Sequence, residues 1–425
     1  VFKQGTRRSC MLGVMVCALF VLGAVANASA ATVYVSNSAP LVPGGKSCVQ
    51  PNYSHVQNAI NAAGPGALIQ ICPGTYTEQI AITNSVKLNA ISGAGTATLE
   101  MPESAVNNSS ACDTMGGLQQ MDEISICTSG TVSITGVNVK AVIPVTTCAG
   151  GMYGIFVGGG GTLKATNFHI DGASTSLNEY KGCQKGVAIE IGNKTPAEVA
   201  HGVLKQLTVT GYQKNGPTVK AVGSTMSVTA STITGEGATP YIAQNGVEVA
   251  WGAQGIVKSS HVSGNECNVG SCGATGEQAS GVLFYQAAAG SNVTSSTVSG
   301  NDMGVYYASG SATVPASPDV TIAKDAITSN RYEGVLLEEG KASLTNDKIN
   351  GTGRVGIDLY QAAYQESASQ SSASYTKIEG QAEAAIKVES DKEPADIAGK
   401  FTFANGSIGN GTVLLNESNN FEVIF

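Results

Sequence analysis

Charge is scarce in this chain. Only 13% of its 425 residues are Asp, Glu, Lys or Arg, with a single tryptophan and four histidines. So few histidines, beside only eight methionines, argue against a dedicated copper centre, which draws on both. Basic clusters are missing as well: 23 Lys and Arg face 31 Asp and Glu, a net charge of −8 that disfavours nucleic acid or an anionic membrane as partner. No phosphate loop, nucleophile elbow or dinucleotide fingerprint leads into a helical pattern, so no soluble cofactor is expected. No later stretch is as long and apolar as Met11 to Ala26, so no membrane span is expected in a mature chain. That early run follows Lys3, Arg7 and Arg8 and precedes Ala28-Ser29-Ala30, which reads as a secretory signal over residues 1–30. Its removal would carry the net charge to −11, leave residues 31–425 as the folded domain, and place the product outside the cell.

Eight cysteines remain beyond the signal. In an exported chain an even count reads as disulfides, although eight cysteines permit 105 pairings. Proximity favours Cys267 with Cys272 in one long corner. Cys148 and Cys183 each lie shortly before a repeat, which suggests a bridge between neighbouring coils, and Cys48–Cys72 with Cys112–Cys127 would complete the set. Zinc is the rival, but no C-x-x-C or nearby histidine supports it.

What the chain does have is repetition. Gly-Val-Leu-Phe-Tyr begins at Gly281, Gly-Val-Tyr-Tyr at Gly304, Gly-Val-Leu-Leu-Glu at Gly334 and Gly-Ile-Asp-Leu-Tyr at Gly356. Ala385 opens a worn copy; Gly246, Gly216, Gly186 and Gly154 open earlier ones. The first and third residues after each glycine are apolar, as in Val247/Val249, Val305/Tyr307 and Ile357/Leu359. Alternation with period two describes a strand with one buried face, and its return at short intervals describes a solenoid. A second alternating phrase falls between the copies and closes on Asn265, Asn301 and Asn330, whose amides are placed to stack from coil to coil. Gly or Asn at these corners is expected to supply left-handed backbone. The fold class is therefore all-β, a parallel β-helix.

The beginning of the domain adds a cap. Ser54 is the expected N-cap of a short helix with Val56, Ala59, Ile60 and Ala63 on one face, followed by strands at Ala67–Ile71 and Tyr76–Ile82. The run from Val56 to Ala63, and then Ala67 to Glu78 with its Gly74-x-Tyr76-x-Glu78 element, resembles the opening of secreted right-handed β-helix proteins of the pectin-lyase-like superfamily. That resemblance implies a right-handed coil and an extracellular polysaccharide as partner. The family's catalytic signatures are not found: no Q-D-T-L, D-F-I-F-G, L-G-R-P-W, W-x-D-H or D-P-H element occurs, and Ala200-His201-Gly202 is the nearest approach to G-H-G.

In this fold the outer face of one sheet forms the saccharide groove, so the second and fourth residues after each glycine are the candidates. Glu338 and Asp358, on consecutive coils, are placed about 8 Å apart by strand spacing and a two-residue offset. That separation falls in the range of about 6.5–9.5 Å for the acid and base of an inverting glycosidase. Arg331 and Arg354 precede the same strands and would hold a carboxylated sugar. Tyr306, Tyr360 and Tyr285 offer flat faces for a pyranose, and Glu248 with Glu190 forms a second acidic cluster. A hydrolase fits such acids better than a lyase; a non-catalytic surface or adhesive solenoid is the alternative. No metal ligand set is assigned; calcium on the carboxylates stays open, without a motif.

Overall fold

A computed structural model describes residues 31–425, apart from 93–94, 106–111, 113–119, 145–146, 149, 194–197, 274–276, 309–319, 339–340, 361–370, 390–397 and 418–419. The signal-like residues 1–30 lie outside the described residues. Every strand-to-strand ladder in the two main sheets is parallel, running from each coil to the next. The glycine-led phrases form a twelve-stranded sheet, here called sheet I. The second phrase turns a corner within itself, and its two strands per coil form a twenty-four-stranded sheet, sheet II.

The alternation predicts which side chains fill the tube, and they do. Val247, Val305, Val335 and Ile357 are fully buried, and Phe284, Tyr307 and Leu337 beside them nearly so. Burying each such side chain contributes about 1.5–3 kcal/mol, which the solenoid collects once per coil. The leading glycine has its own cause. A Cβ on Gly281 would lie 2.5 Å from Val298 Cγ1, one on Gly304 2.6 Å from Ile327 Cγ2, and one on Gly246 would collide with Val262. In these coils a residue without a side chain lets sheet I pass close to the core residues of sheet II.

The asparagines stack as expected. Asn265 Nδ2 donates to Asn301 Oδ1 at 2.8 Å and Asn301 Nδ2 to Asn330 Oδ1 at 3.1 Å, while the Tyr212 hydroxyl closes the top of the column on Asn265 Oδ1. Their backbone is not left-handed, however. That conformation belongs to the residue before each one, Gly264 (φ 73°), Gly300 (φ 64°) and Ser329 (φ 54°), which turns the chain so that the asparagine side chain points inward.

At the N-terminal end, α1 (Val56–Ala62) buries Val56, Ala59 and Ile60 over the open coil. Ser54 does not cap it. His55 is the N-cap residue and offers no side-chain bond; the Glu78 carboxylate instead accepts from the amides of Val56 (2.8 Å) and Gln57 (3.0 Å). To reach them the chain turns at Glu78, so the strand expected over Tyr76–Ile82 is two, Gly74–Thr77 and Ile80–Ile82. Tyr76 donates its hydroxyl to Val35 and Cys72 carbonyls. The Gly-x-Tyr-x-Glu element thus fastens the cap. All four disulfides form as paired above, with Cα separations of 5.6 Å (Cys48–Cys72), 5.5 Å (Cys112–Cys127), 5.3 Å (Cys148–Cys183) and 5.8 Å (Cys267–Cys272).

Candidate functional site

On the outer face of sheet I the side chains stand in rows, one residue per coil. One row reads Phe156, Glu190, Thr218, Glu248, Leu283, Tyr306, Leu336, Asp358 and Lys387. Its neighbour carries Lys220, Ala250, Tyr285, Ala308, Glu338, Tyr360 and Glu389. Glu190 therefore sits in the row of Glu248, two residues from the place expected by counting from Gly186. The ladder pairs Val187 with Asn215 and Ile189 with Pro217, so Ala188, not Gly186, occupies the leading-glycine position of that coil. A shift of two keeps the same face, which is why the period alone did not reveal it.

The face is also less open than an outer surface implies. Asp358 is 1% exposed and Glu190 2%; Phe156, Ala188 and Thr218 are buried. Glu338, Tyr306, Tyr360, Tyr285 and Glu248 are half-buried, and Arg331 is exposed. Glu338 and Asp358 lie diagonally across adjacent strands, as expected. They are not joined into one site, because each is engaged elsewhere. The Tyr306 hydroxyl donates to Glu338. Burial, followed by the charge of Glu389 and a hydrogen bond with it, drives Asp358 well above the usual carboxylate range.

Arg354 and Arg331 are likewise held by protein carboxylates. Arg354 bonds Glu333 at 2.7 Å and Glu383 at 3.0 Å, with Glu389 at 3.9 Å. Lys387 bonds Glu383 at 3.0 Å and also Glu389. Burial pushes Glu333 up to about 8 despite Arg354 beside it. Arg331 donates to the Cys267 carbonyl at 2.9 Å and to Asp302 at 3.3 Å, and lies over the Tyr332 ring. The arginines expected to grip a sugar carboxylate instead grip the coil.

The second acidic cluster is different. Lys220 Nζ lies 3.1 Å from Glu190 and 4.0 Å from Glu248, and Asn215 donates to Glu248. Burial pushes Glu190 up to about 7, against the pull of Lys220. Burial opposes the charge on Lys220, but the two carboxylates outweigh it and hold its pKa above the ordinary lysine value. Burial lowers that of Lys214, whose ammonium donates to the Ala243 carbonyl at 2.7 Å. Lys220, Glu248, Asn215 and Lys214 border a cavity of about 190 Å³ reached also by Lys185, Tyr153 and Trp251, while Glu190 is buried outside its lining. Trp251, with positive φ just past its strand, meets the Tyr285 ring edge-on at 4.7 Å.

Sequence reasoning had named Glu190, Glu248 and Tyr285 here and missed Lys220, Lys214 and Asn215. Lys220 was legible as the residue two beyond Thr218 on the same face. Asn215 belongs to a third outward row preceding the glycines, where Asn245 donates to it at 3.0 Å and Ser280 donates to Asn245 at 2.7 Å. Among the described residues, the group of Cys267, Cys272 and Glu277 brings three metal-ligand atoms together, and its two sulfurs are joined in a disulfide. No described helix is long and apolar enough to cross a membrane.

No family model and no curated protein matches the sequence. Solved structures do resemble the fold. The periplasmic alginate epimerase AlgG superposes with a TM-score of 0.54 at 12% identity, over 91% of this chain and 84% of that one. The Agl-KA catalytic domain gives 0.57 at 14% identity, over 86% of this chain and 64% of that one. With the parallel ladders and the helix-capped first coil, these likenesses settle the architecture: the chain is a right-handed parallel β-helix.

Proposed function

We propose that the protein is exported and binds a polysaccharide across the outer face of sheet I, with the pocket of Lys220, Glu248 and Trp251 at the centre of the site. The observation that carries this reading is a buried ion cluster opening on a cavity beside an aromatic pair, the combination that marks functional sites more often than surface charge does. At about 190 Å³ the cavity is smaller than the ~300–1,000 Å³ of a drug-sized site, and suits one residue of a chain that runs past it. Lys185, Lys214 and Lys220 on its rim favour a carboxylated sugar. Beyond the pocket the half-buried Tyr285, Tyr306, Glu338 and Tyr360 continue the face and supply contacts for flanking sugars. That a protein of the same fold is an alginate epimerase supports an acidic polysaccharide as the ligand class. The four disulfides support an oxidising compartment outside the cytosol.

The competing reading is a structural solenoid without catalysis, favoured by the way Arg354, Asp358, Lys387 and Glu389 satisfy one another inside the protein. A panel of acidic and neutral polysaccharides separates the two, scored for binding, for reducing-end release and for ultraviolet absorbance of an unsaturated product. Binding that weakens about tenfold or more in Glu248→Gln and Trp251→Ala is the expected result. Binding unchanged in both variants sinks the pocket as the centre, and no binding to any glycan leaves the solenoid reading.

A further inference from the structure

Sheet II bends once per coil, and the bend changes character along the molecule. From Gly136 onward a single residue in left-handed backbone makes each corner: Gly136 (φ 68°), Asn167 (φ 49°), Gln206 (φ 55°), Ala230 (φ 51°), and then Ser259, Ser295, Lys324, Asn346, Tyr375 and Asn405. One residue allows the two arms to meet tightly. The first coils are built otherwise. Cys72-Pro73, neither residue left-handed, joins Ala67–Ile71 to Gly74–Thr77, and the described Ile91, Ser92, Gly95 and Thr96 fall between Val86–Ala90 and Ala97–Glu100. A cavity of about 550 Å³ opens in the angle of these coils, within the usual range for a ligand site.

Its lining is uncharged throughout, in contrast to the lysine-rimmed pocket on sheet I. Tyr34, Gln70, Asn89 and Thr135 form one row on successive strands, about 4.8 Å apart, with Thr96 and Asn167 on the other side. Asn89 Nδ2 donates to Gln70 Oε1 at 2.8 Å, which fixes both amides and leaves Asn89 Oδ1 and Gln70 Nε2 for a ligand. An acceptor and a donor on adjacent rungs match the vicinal hydroxyls of a sugar, and the Tyr34 ring offers a surface for its apolar face. Lys or Arg, which a uronate or phosphate would call for, is absent from the lining.

We infer that this corner is a second saccharide site, selective for neutral sugars. The inference does not depend on the reading of sheet I, and calorimetry distinguishes the two. The probes are neutral hexasaccharides of glucose, mannose and galactose, and a hexauronate, each titrated into the full-length protein. A neutral oligomer is expected to bind. Asn89→Ala and Gln70→Ala should each weaken it about tenfold, while Lys220→Met leaves it unchanged. Thr135 is exposed, so Thr135→Arg fills the angle without disturbing the core and should abolish the binding. Failure of all three neutral probes to bind at millimolar concentration overturns the inference. So does neutral binding that survives Thr135→Arg, or that is lost in Lys220→Met.

Discussion

Two clusters of mixed acids and bases occupy the same outer face of sheet I, five strands apart from Lys220 to Asp358, and they have been put to different uses. Around Lys220 the carboxylates of Glu190 and Glu248 flank one ammonium beside a cavity. Arg354 and Lys387 hold three acids, Glu333, Glu383 and Glu389, with Asp358 sealed beside them. Buried charge alone therefore does not identify a site; buried charge that faces a space does. Where every ion meets an ion of its own protein, the network fixes the register of the last coils.

The contrast is breakable. Removing Arg354 leaves Glu333, at 2% exposure, without its partner; Arg354→Met should destabilise the protein by about 3–5 kcal/mol, read as a lower denaturation midpoint. Lys220→Met should cost less, about 1–2 kcal/mol, because Lys220 meets two carboxylates where Arg354 meets three, and one of the two, Glu248, faces the cavity and keeps Asn215 as a donor. The same variant should lose at least tenfold in affinity for an acidic polysaccharide. Equal stability losses in the two would erase the distinction.

A smaller effect concerns the bend of sheet II. Ser231, Ser260 and Ser296 each use their hydroxyl to accept a backbone amide, those of Leu207, Ser231 and Ser260 in turn; Asp325 and Asp347 do so in the next coils. Burial pushes the two aspartates up to about 7 and about 8. Their folded pKa values exceed the ordinary value near 3.8, so the protonated form is favoured by folding. The stability they contribute is full below about pH 4 and is lost as pH rises through about 8. Thermal midpoints should fall between pH 5 and pH 9, and Asp325→Ser with Asp347→Ser should flatten that slope. An unchanged slope would remove these two groups from the account. The smallest effect expected is on catalysis from Glu338→Gln with Asp358→Asn: activity on any polysaccharide cleaved should persist, and its loss would return the reaction to the pair first suggested by spacing.

Much of the fold could be read from residues because a solenoid writes its geometry locally. Val247, Val305, Val335 and Ile357 recur at a fixed place after glycine, and each repeats one packing environment. The candidate site was half legible for the same reason. Glu248, Glu190 and Tyr285 fall on the outer face by parity, but parity says nothing of which rows coincide, and the coil at Gly186 slipped by two. Ser54 misled because the group that caps α1 comes from Glu78, a tertiary partner that no local rule anticipates.

The sequence by itself determined the coil: period-two alternation, glycines where sheet I presses on sheet II, and asparagines that stack. Only the tertiary structure decided which outward acids face a cavity and which face another coil's cations. Burial, register between coils and the width of each corner depend on neighbours some thirty residues away along the chain, as Lys220 is from Glu190. Local pattern fixes a side chain's direction; what stands in front of it is set by the stack.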